Sequence, residues 1–315
     1  MSKQTSLFGW LQPADKDKKM ASEGSDDVKT CEDDAEGQYK IISYNIDGLR
    51  PNVWLWICDF LKREKPHILC LHETKLAKHV LQAMFDQINN TYVALINEHN
   101  PSCWHGVVML IRKDVNFTIP PQAINLKNLK SRSDNKSLDA TKGRVLTVLV
   151  ENQFYLVTTY VPNAGIDKLK HLNYRIQHWD PALQAHLNEL QLEKPVLWMG
   201  DINVAPEEVD VVDPKRMSSW AGFTPEERKS FKEFLASGNK WIDIWRQQHP
   251  KTKQFSFRGK AHKWASSGMR LDNAIVSSSL VKDVTQSDIL VDCQADTDHV
   301  PILVCISVKT QEDVY

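Results

Sequence analysis

The sequence predicts an α/β fold: sheets with largely antiparallel pairing and helices packed outside them. Three observations predict it. Short apolar runs of strand length alternate along the chain with stretches of helical periodicity. Two runs, Val145–Val150 and Phe154–Tyr160, are three residues apart, a hairpin spacing that a doubly wound parallel sheet does not use. The 315 residues are 42% hydrophobic and 25% charged, the balance of an ordinary globular domain and not of a coiled coil, a collagen or a wholly disordered chain.

Taken in order, residues 12–38 are rich in Asp, Glu, Lys and Ser. They cannot bury enough apolar surface to offset their ordering entropy, which predicts a disordered linker. The expected organisation is therefore a leader over 1–39, one domain over 40–308 and a short tail over 309–315. Residues 40–43 predict a strand, and Val53, Ile57, Phe60 and Leu61 fall at helical spacing. Residues 67–71 and 107–111 predict buried strands, and the polar run 125–142 a mobile insertion. Leu169, Leu172, Ile176, Trp179, Leu183, Leu187 and Leu190 step by three or four and predict one amphipathic helix. A strand follows at 196–199. Thr224 is a good N-cap before Pro225 and opens a helix to Leu235. Residues 271–276 and 302–306 predict the last strands.

The charge balance at first argues against a nucleic-acid binder, which usually carries a basic excess. Lys and Arg number 39 against 40 Asp and Glu, a net of −1. The leader holds five lysines and nine acids, −4, which leaves +3 on residues 40–315. No apolar run approaches the roughly 18 residues of a membrane helix, so no membrane association is expected. The N-terminus lacks the roughly 7–15-residue apolar core of a secretory signal. The six cysteines have no C-x-x-C spacing, and Cys58, Cys70 and Cys305 sit in apolar runs. They read as buried free thiols of a reducing compartment, so an intracellular protein is expected.

Chemistry is signalled at the strand ends. The apolar runs are followed at once by Asn45 and Asp47, by Glu73, and by Asp201 and Asn203; Asp272 adjoins another strand, and Asp298 and His299 precede the last. One such residue is ordinarily a turn former. Five clusters point to one shared edge where polar strand ends meet. Carboxylates and amides without cysteine form a hard, oxygen-rich set that suits Mg²⁺ or Mn²⁺ and not zinc. With an Asp and a His, they make a kit for phosphodiester hydrolysis.

NIDGLR (45–50), ETK (73–75), TTYVPNAG (158–165), GDINVAPEEVD (200–210), AGFTPEER (221–228), RLDNAIVS (270–277) and TDHVPI (297–302) together resemble the exonuclease III/AP endonuclease family. The likeness runs in order from Lys40 to Ile306. It implies a DNase-I-like four-layer α/β sandwich, two packed mixed β-sheets flanked by helices. It implies a Mg²⁺-dependent (Mn²⁺-tolerant) DNA repair phosphodiesterase that cuts 5′ to abasic sites and leaves a 3′-hydroxyl, with 3′–5′ exonuclease and 3′-phosphodiesterase activities. The substrate would be double-stranded DNA with abasic sites or blocked 3′ ends, the enzyme a monomer, its place the nucleus. Phosphodiesterases for 5′-tyrosyl-DNA or lipid phosphates, and an inert scaffold, are the alternatives.

The resemblance also implies roles. Asp47, Glu73 and Asp298 would bind or influence the metal, with Asn45 in support. Asp201 would orient or deprotonate water. Asn163, Asn203 and Tyr160 would contact the phosphate, and His299, oriented by Asp272, would stabilise its charge. Phe257, Met269 and Leu271, with Trp264 nearby, would line the abasic-sugar pocket. Two positions depart from the pattern. His72 stands where Gln is common, which suggests tuning, and Ile166 stands where a DNA-inserting Arg occurs, which suggests weaker clamping. Gln4, Leu7, Trp10 and Leu11 resemble a peptide that binds the PCNA sliding clamp, tethered by the linker. Setting aside Asp47, Glu73, Asp201, Asp272 and Asp298, the remainder of 40–315 carries +8, a basic surround for an acidic centre.

Overall fold

The structure, a computed structural model, describes residues 37–98, 105–127, 129, 141–165, 168–238, 240–259 and 268–309. The clamp-like motif, the linker as far as 36, most of the 125–142 insertion, Ile166 and Trp264 lie outside the described residues.

Two six-stranded sheets stack face to face. The first runs β13 (Val284–Ile289), β14 (Ile302–Ser307), β1 (Gln38–Asn45), β2 (Ile68–His72), β4 (Val107–Arg112), β3 (Tyr92–Asn97). The second runs β5 (Phe117–Thr118), β6 (Val145–Val150), β7 (Phe154–Tyr160), β8 (Val196–Asp201), β12 (Asp272–Ser277), β9 (Trp241–Asp243). Both sheets are mixed: β1–β2 and β7–β8 pair parallel and every other neighbour antiparallel. A two-stranded ribbon, β10 (Phe257–Arg258) with β11 (Gly268–Met269), lies at one end.

Strand residues alternate between two buried faces, because successive side chains point to opposite sides. Ile41, Ile68, Cys70 and Met109 meet Leu156, Leu197, Met199 and Val276 between the sheets. Their neighbours Ile42, Leu69 and Leu71 pack instead on α1 (Pro51–Glu64) and α2 (Lys78–Phe85). On the other outer face, Val157, Trp198 and Ile275 pack on α4 (Asp180–Gln191) and α6 (Pro225–Leu235). Helix, sheet, sheet, helix is the expected four-layer order.

The helix expected from Leu169 begins later. Lys168 and Leu169 take positive φ, a single turn α3 (Leu172–Tyr174) follows, and Arg175–Trp179 forms a π-helical turn before α4. Pro181 has no N–H for the Gln177 carbonyl, and a wider turn relieves that break. The π turn buries Trp179, as periodicity indicated, but buries Arg175 where periodicity pointed to Ile176. Thr224 caps α6 in a capping box with Glu227. Cys58, Cys70 and Cys293 are free thiols, but Cys305 is disulfide-bonded, which corrects the free-thiol expectation at that residue.

Two buried arginines brace the end of the sandwich that holds the polar strand ends. Arg270 is fully buried. It holds Asp210 through Nε (2.7 Å) and Nη2 (3.1 Å), and Asp243 through Nη2 (2.7 Å) and Nη1 (3.2 Å). Arg246 also pairs with Asp210. Arg175 donates to the carbonyls of Ile202 (2.7 Å) and Asn203 (2.5 Å) and pairs with Glu227 at 3.0 Å.

Replacing Arg270 by Met leaves two carboxylates buried beside an apolar side chain. Urea unfolding is expected to show a loss of about 3–5 kcal/mol; an unchanged midpoint would remove the network from the stability account. His186 on α4 is buried against Thr147 on β6, Nε2 to Oγ1 3.2 Å. Burial pushes its pKa down to about 4. The unfolded imidazole protonates below about 6.5, while the folded one resists until about 4. This contribution is therefore complete above about pH 6.5 and is lost as pH falls toward 4. Between pH 7 and 5, His186→Leu should shed about 2 kcal/mol less stability than the parent in urea titrations at both pH values.

Candidate active site

The polar strand ends continue the phase of the inter-sheet core. In β1, Ile41 faces that layer, and Asn45 lies four residues on. In β2 the sequence is Ile68, Cys70, His72; in β7, Leu156, Thr158, Tyr160; in β8, Leu197, Met199, Asp201; in β12, Val276 and Ala274 lead back to Asp272. All five polar residues therefore fall on the side facing the opposite sheet. Register brings them level: Asn45 pairs with His72, Tyr160 with Asp201, and Asp201 with Asp272. Gly200 (φ 148°) permits the close β7–β8 approach, since a Cβ there would sit 2.2 Å from the Thr159 carbonyl oxygen.

Asn45 joins the two sheets. Its Nδ2 donates to Glu73 Oε1 (2.9 Å) and to Asp201 Oδ2 (2.9 Å), while its Oδ1 accepts from the Asp47 amide (3.0 Å). Beneath it, His72 Nε2 meets Thr158 Oγ1 at 2.7 Å across the sheets. Burial pushes the His72 pKa down to about 4, so the imidazole is neutral, as the Gln common at this position would be. Asp47, Glu73, Lys75 and Asn203 all take left-handed φ, 44°, 55°, 54° and 53°. Each costs of order 1–3 kcal/mol and persists only where surroundings enforce it. The Glu73 carbonyl accepts from Gly48 N (2.7 Å), and Asn203 is held by Asp201 Oδ1 on its amide (3.0 Å) and Arg175 on its carbonyl.

A cleft of about 700 Å³ opens over this floor. Asp47, Glu73, Tyr160, Asn163, Asp201 and Asn203 line it, as do Phe257, Met269, Leu271, Asp298 and His299. Asn45 and Asp272 lie buried just beneath. Every expected site residue within the described residues is thus at the cleft or directly under it. Asn163 Nδ2 donates to Asn203 Oδ1 (2.8 Å), and Asn203 Nδ2 to the Val161 carbonyl (2.9 Å). Phe257 pairs with Met269 on the ribbon, its ring 5.1 Å from the His299 ring.

His299 Nδ1 lies 2.6 Å from Asp272 Oδ2. Burial disfavours the imidazolium, but Asp272, then Asp201 and Asp298, outweigh it and push the pKa up to about 10. The pair is a buried cation on a carboxylate. Asp201 shows the converse: burial first, then Asp272, push its pKa up to about 7. Burial and Glu73 hold the Tyr160 hydroxyl well above its ordinary value, so it stays protonated. The floor thus offers one tunable carboxylate, one cation and several neutral donors, the complement of a phosphate under attack.

Among the described residues no three Asp, Glu, His or Cys side chains converge as a ready metal cage. Asp47 and Glu73 come together around Lys75, whose Nζ lies 2.7 Å from Asp47 Oδ1 and 2.7 Å from Glu73 Oε2. Asp298 lines the same cleft; its own carbonyl is tied to the ribbon by Arg258 N at 2.7 Å, and burial, with Asp47 and Glu73 adding to it, raises its carboxyl pKa. Two carboxylates around a resident cation still fit Mg²⁺, which keeps several waters and is commonly held by one or two carboxylates plus substrate phosphate.

Pattern reading missed the braces. Asp210 and Arg270 stand inside quoted motifs, and a charge amid apolar residues at strand entry was the available signal. Arg175 sits three residues after Leu172 and four before Trp179, on the inner helical face. Ser256 Oγ, accepting from the Leu271 (3.1 Å) and Asp272 (2.9 Å) amides, carried no signal.

Residues 42–299 match the endonuclease/exonuclease/phosphatase family. The DNA-(apurinic or apyrimidinic site) endonuclease of Dictyostelium discoideum is 36% identical over 277 residues, 87% of this chain and 72% of that one. The DNA repair nuclease APEX1 of Danio rerio is 33% identical, covering 89% and 86%. An exodeoxyribonuclease of Streptococcus pneumoniae is 33% identical, covering 84% and 98%. Among solved structures, the AP endonuclease LMAP of Leishmania major has a TM-score of 0.74 at 26% identity, covering 88% and 90%. With most of its length matched, and its polar strand ends gathered on one cleft, the chain belongs to the endonuclease/exonuclease/phosphatase family.

Proposed function

We propose that this chain is a DNA repair phosphodiesterase that cuts the backbone 5′ to abasic sites and leaves a 3′-hydroxyl, with 3′–5′ exonuclease and 3′-phosphodiesterase activities. The observation that carries the reading is the meeting of Asp201 with the Asp272–His299 pair on a floor that also presents Asn163, Asn203 and Tyr160. Relatives named for abasic-site cleavage, DNA repair and exodeoxyribonuclease activity support the substrate.

Glu73 and Asp47 would hold Mg²⁺, with Mn²⁺ able to replace it, and the metal would supply charge neutralisation at the scissile phosphate. Asp201 orients the attacking water and takes its proton. Asn45 keeps that carboxylate aimed, and the Asn203 amide on its other oxygen holds it from behind. Asn163, Asn203 and Tyr160 donate to phosphate oxygens, and His299, kept charged by Asp272, opposes the negative charge that builds there. Phe257, Met269 and Leu271 receive the sugar that has no base.

Asp201→Asn should lower kcat for incision of an abasic duplex by about 10²–10⁴-fold while the duplex still binds in a mobility-shift assay. Glu73→Gln should raise the Mg²⁺ concentration needed for half-maximal rate. Parental rates for Asp201→Asn, or an unaltered metal requirement for Glu73→Gln, would overturn these roles.

The leader peptide completes the proposal, with Gln4, Leu7, Trp10 and Leu11 seating on PCNA and directing the enzyme to nuclear replication sites. A clamp pull-down with the full chain should lose the interaction in Leu7→Ala/Trp10→Ala; equal capture of both proteins would refute it.

A further inference from the structure

The apolar wall of the cleft does not end at the sugar pocket. Beyond Leu271 it continues through Ala221 to Trp220, with Ser219, Lys168 and Leu169 along the rim. Trp220 packs at the edge of a small core of Val211, Met217, Phe223, Met269 and Leu271, and its side chain is half-buried. Its backbone is fixed on both sides: its amide donates to Met217 O (2.9 Å), and its carbonyl accepts from Phe223 N (2.9 Å). The Arg216 guanidinium lies over its ring, 5.6 Å from the centroid. A rigid indole on the wall of a cleft, with a cation on its ring and a lysine on the rim, has the make-up of a stacking platform for nucleic-acid bases.

Size points the same way. About 700 Å³ is the space of a drug-sized ligand, more than a lone deoxyribose fills. Resting on the phosphodiesterase reading above, we propose that Trp220 is a specificity-determining residue that stacks an unpaired nucleobase. The same floor would then serve nucleotides that keep their bases, such as a frayed or mismatched 3′ terminus, beside sugars that have lost them. The scissile phosphate lies on Asn163, Asn203 and His299 in both cases. What differs is whether the wall takes a bare sugar at Phe257 and Met269 or extends its hold to a base at Trp220.

The test uses the full chain with a duplex carrying a mismatched 3′-terminal 2-aminopurine. In EDTA, which prevents cleavage, binding should quench the 2-aminopurine. Trp220→Leu keeps an apolar group against Met217 and Phe223 but has no ring, and it should lose most of the quench. Trp220→Phe should restore it, and thermal melts of both variants report whether the core is intact. With Mg²⁺, the ratio of 3′-nucleotide removal to abasic-site incision should fall roughly tenfold to a hundredfold in Trp220→Leu and recover in Trp220→Phe. An unchanged quench in a folded Trp220→Leu protein, or an equal fall of both activities, would overturn the proposal. A parental chain that incises no abasic duplex would sink the earlier reading alone, because the fluorescence comparison reports stacking without any cleavage.

Discussion

The candidate site depends on one neutral side chain between two carboxylates. Asn45 directs its amide group at Glu73, which follows β2, and at Asp201, which ends β8 in the other sheet. Left alone, two carboxylates in a poorly hydrated place repel each other and drift toward protonation or solvent. A lysine in the same position would attract both but would weaken Asp201 as a proton acceptor. The amide satisfies both acceptors without adding charge, so Asp201 keeps the basicity that burial and Asp272 confer. It also ties the sheets together at the end where no apolar packing can.

The surroundings of that joint are stiff for a reason. Arg270 sits behind Leu271 and Asp272, held by two carboxylates, while Arg175 grips the carbonyls just after Asp201. Buried ion networks of this kind add little net stability, because desolvation consumes most of their attraction. Their return is directional. Guanidinium forks allow few geometries, so the chain segments on either side of the floor have little freedom to shift. That rigidity lets four residues remain in left-handed backbone conformations at the site.

The sandwich itself was legible because its strands are largely apolar on both faces: β6 and β7 fall where apolar runs broken only by threonines place them, and α6 where Thr224 and Pro225 mark its start. Among the strands that pattern reading overlooked, β3 and β13 lie at the two edges of the first sheet and β5 and β9 at the two edges of the second. β13 carries Thr285, Gln286, Ser287 and Asp288 and shows no hydrophobic signature, whereas β3 is an apolar run, Tyr92 to Ile96, that lies mostly half-exposed at its edge. The floor of the site was legible for a related reason: Asn45, Asp201 and Asp272 interrupt apolar runs. Lys75, Arg175 and Arg270 were not, since hydropathy alone places a cation at the surface and only the fold reveals the carboxylates or carbonyls that receive it.

The shared phase of the five strands makes each of them a ruler. Met199 and Asp201 face the same layer because two residues separate them, and so do Cys70 and His72, and Thr158 and Tyr160. A single residue inserted after Leu197 in β8 would send Trp198 between the sheets, turn Met199 toward the helices and rotate Asp201 away from the cleft. Two inserted residues would restore the facing but carry the carboxylate about 6.6 Å too far. The spacing from core to catalytic group therefore tolerates neither odd nor even change. Variation in length is confined to the loops beyond the strand ends, where a chain of this architecture can acquire new substrate contacts without recalibrating its chemistry.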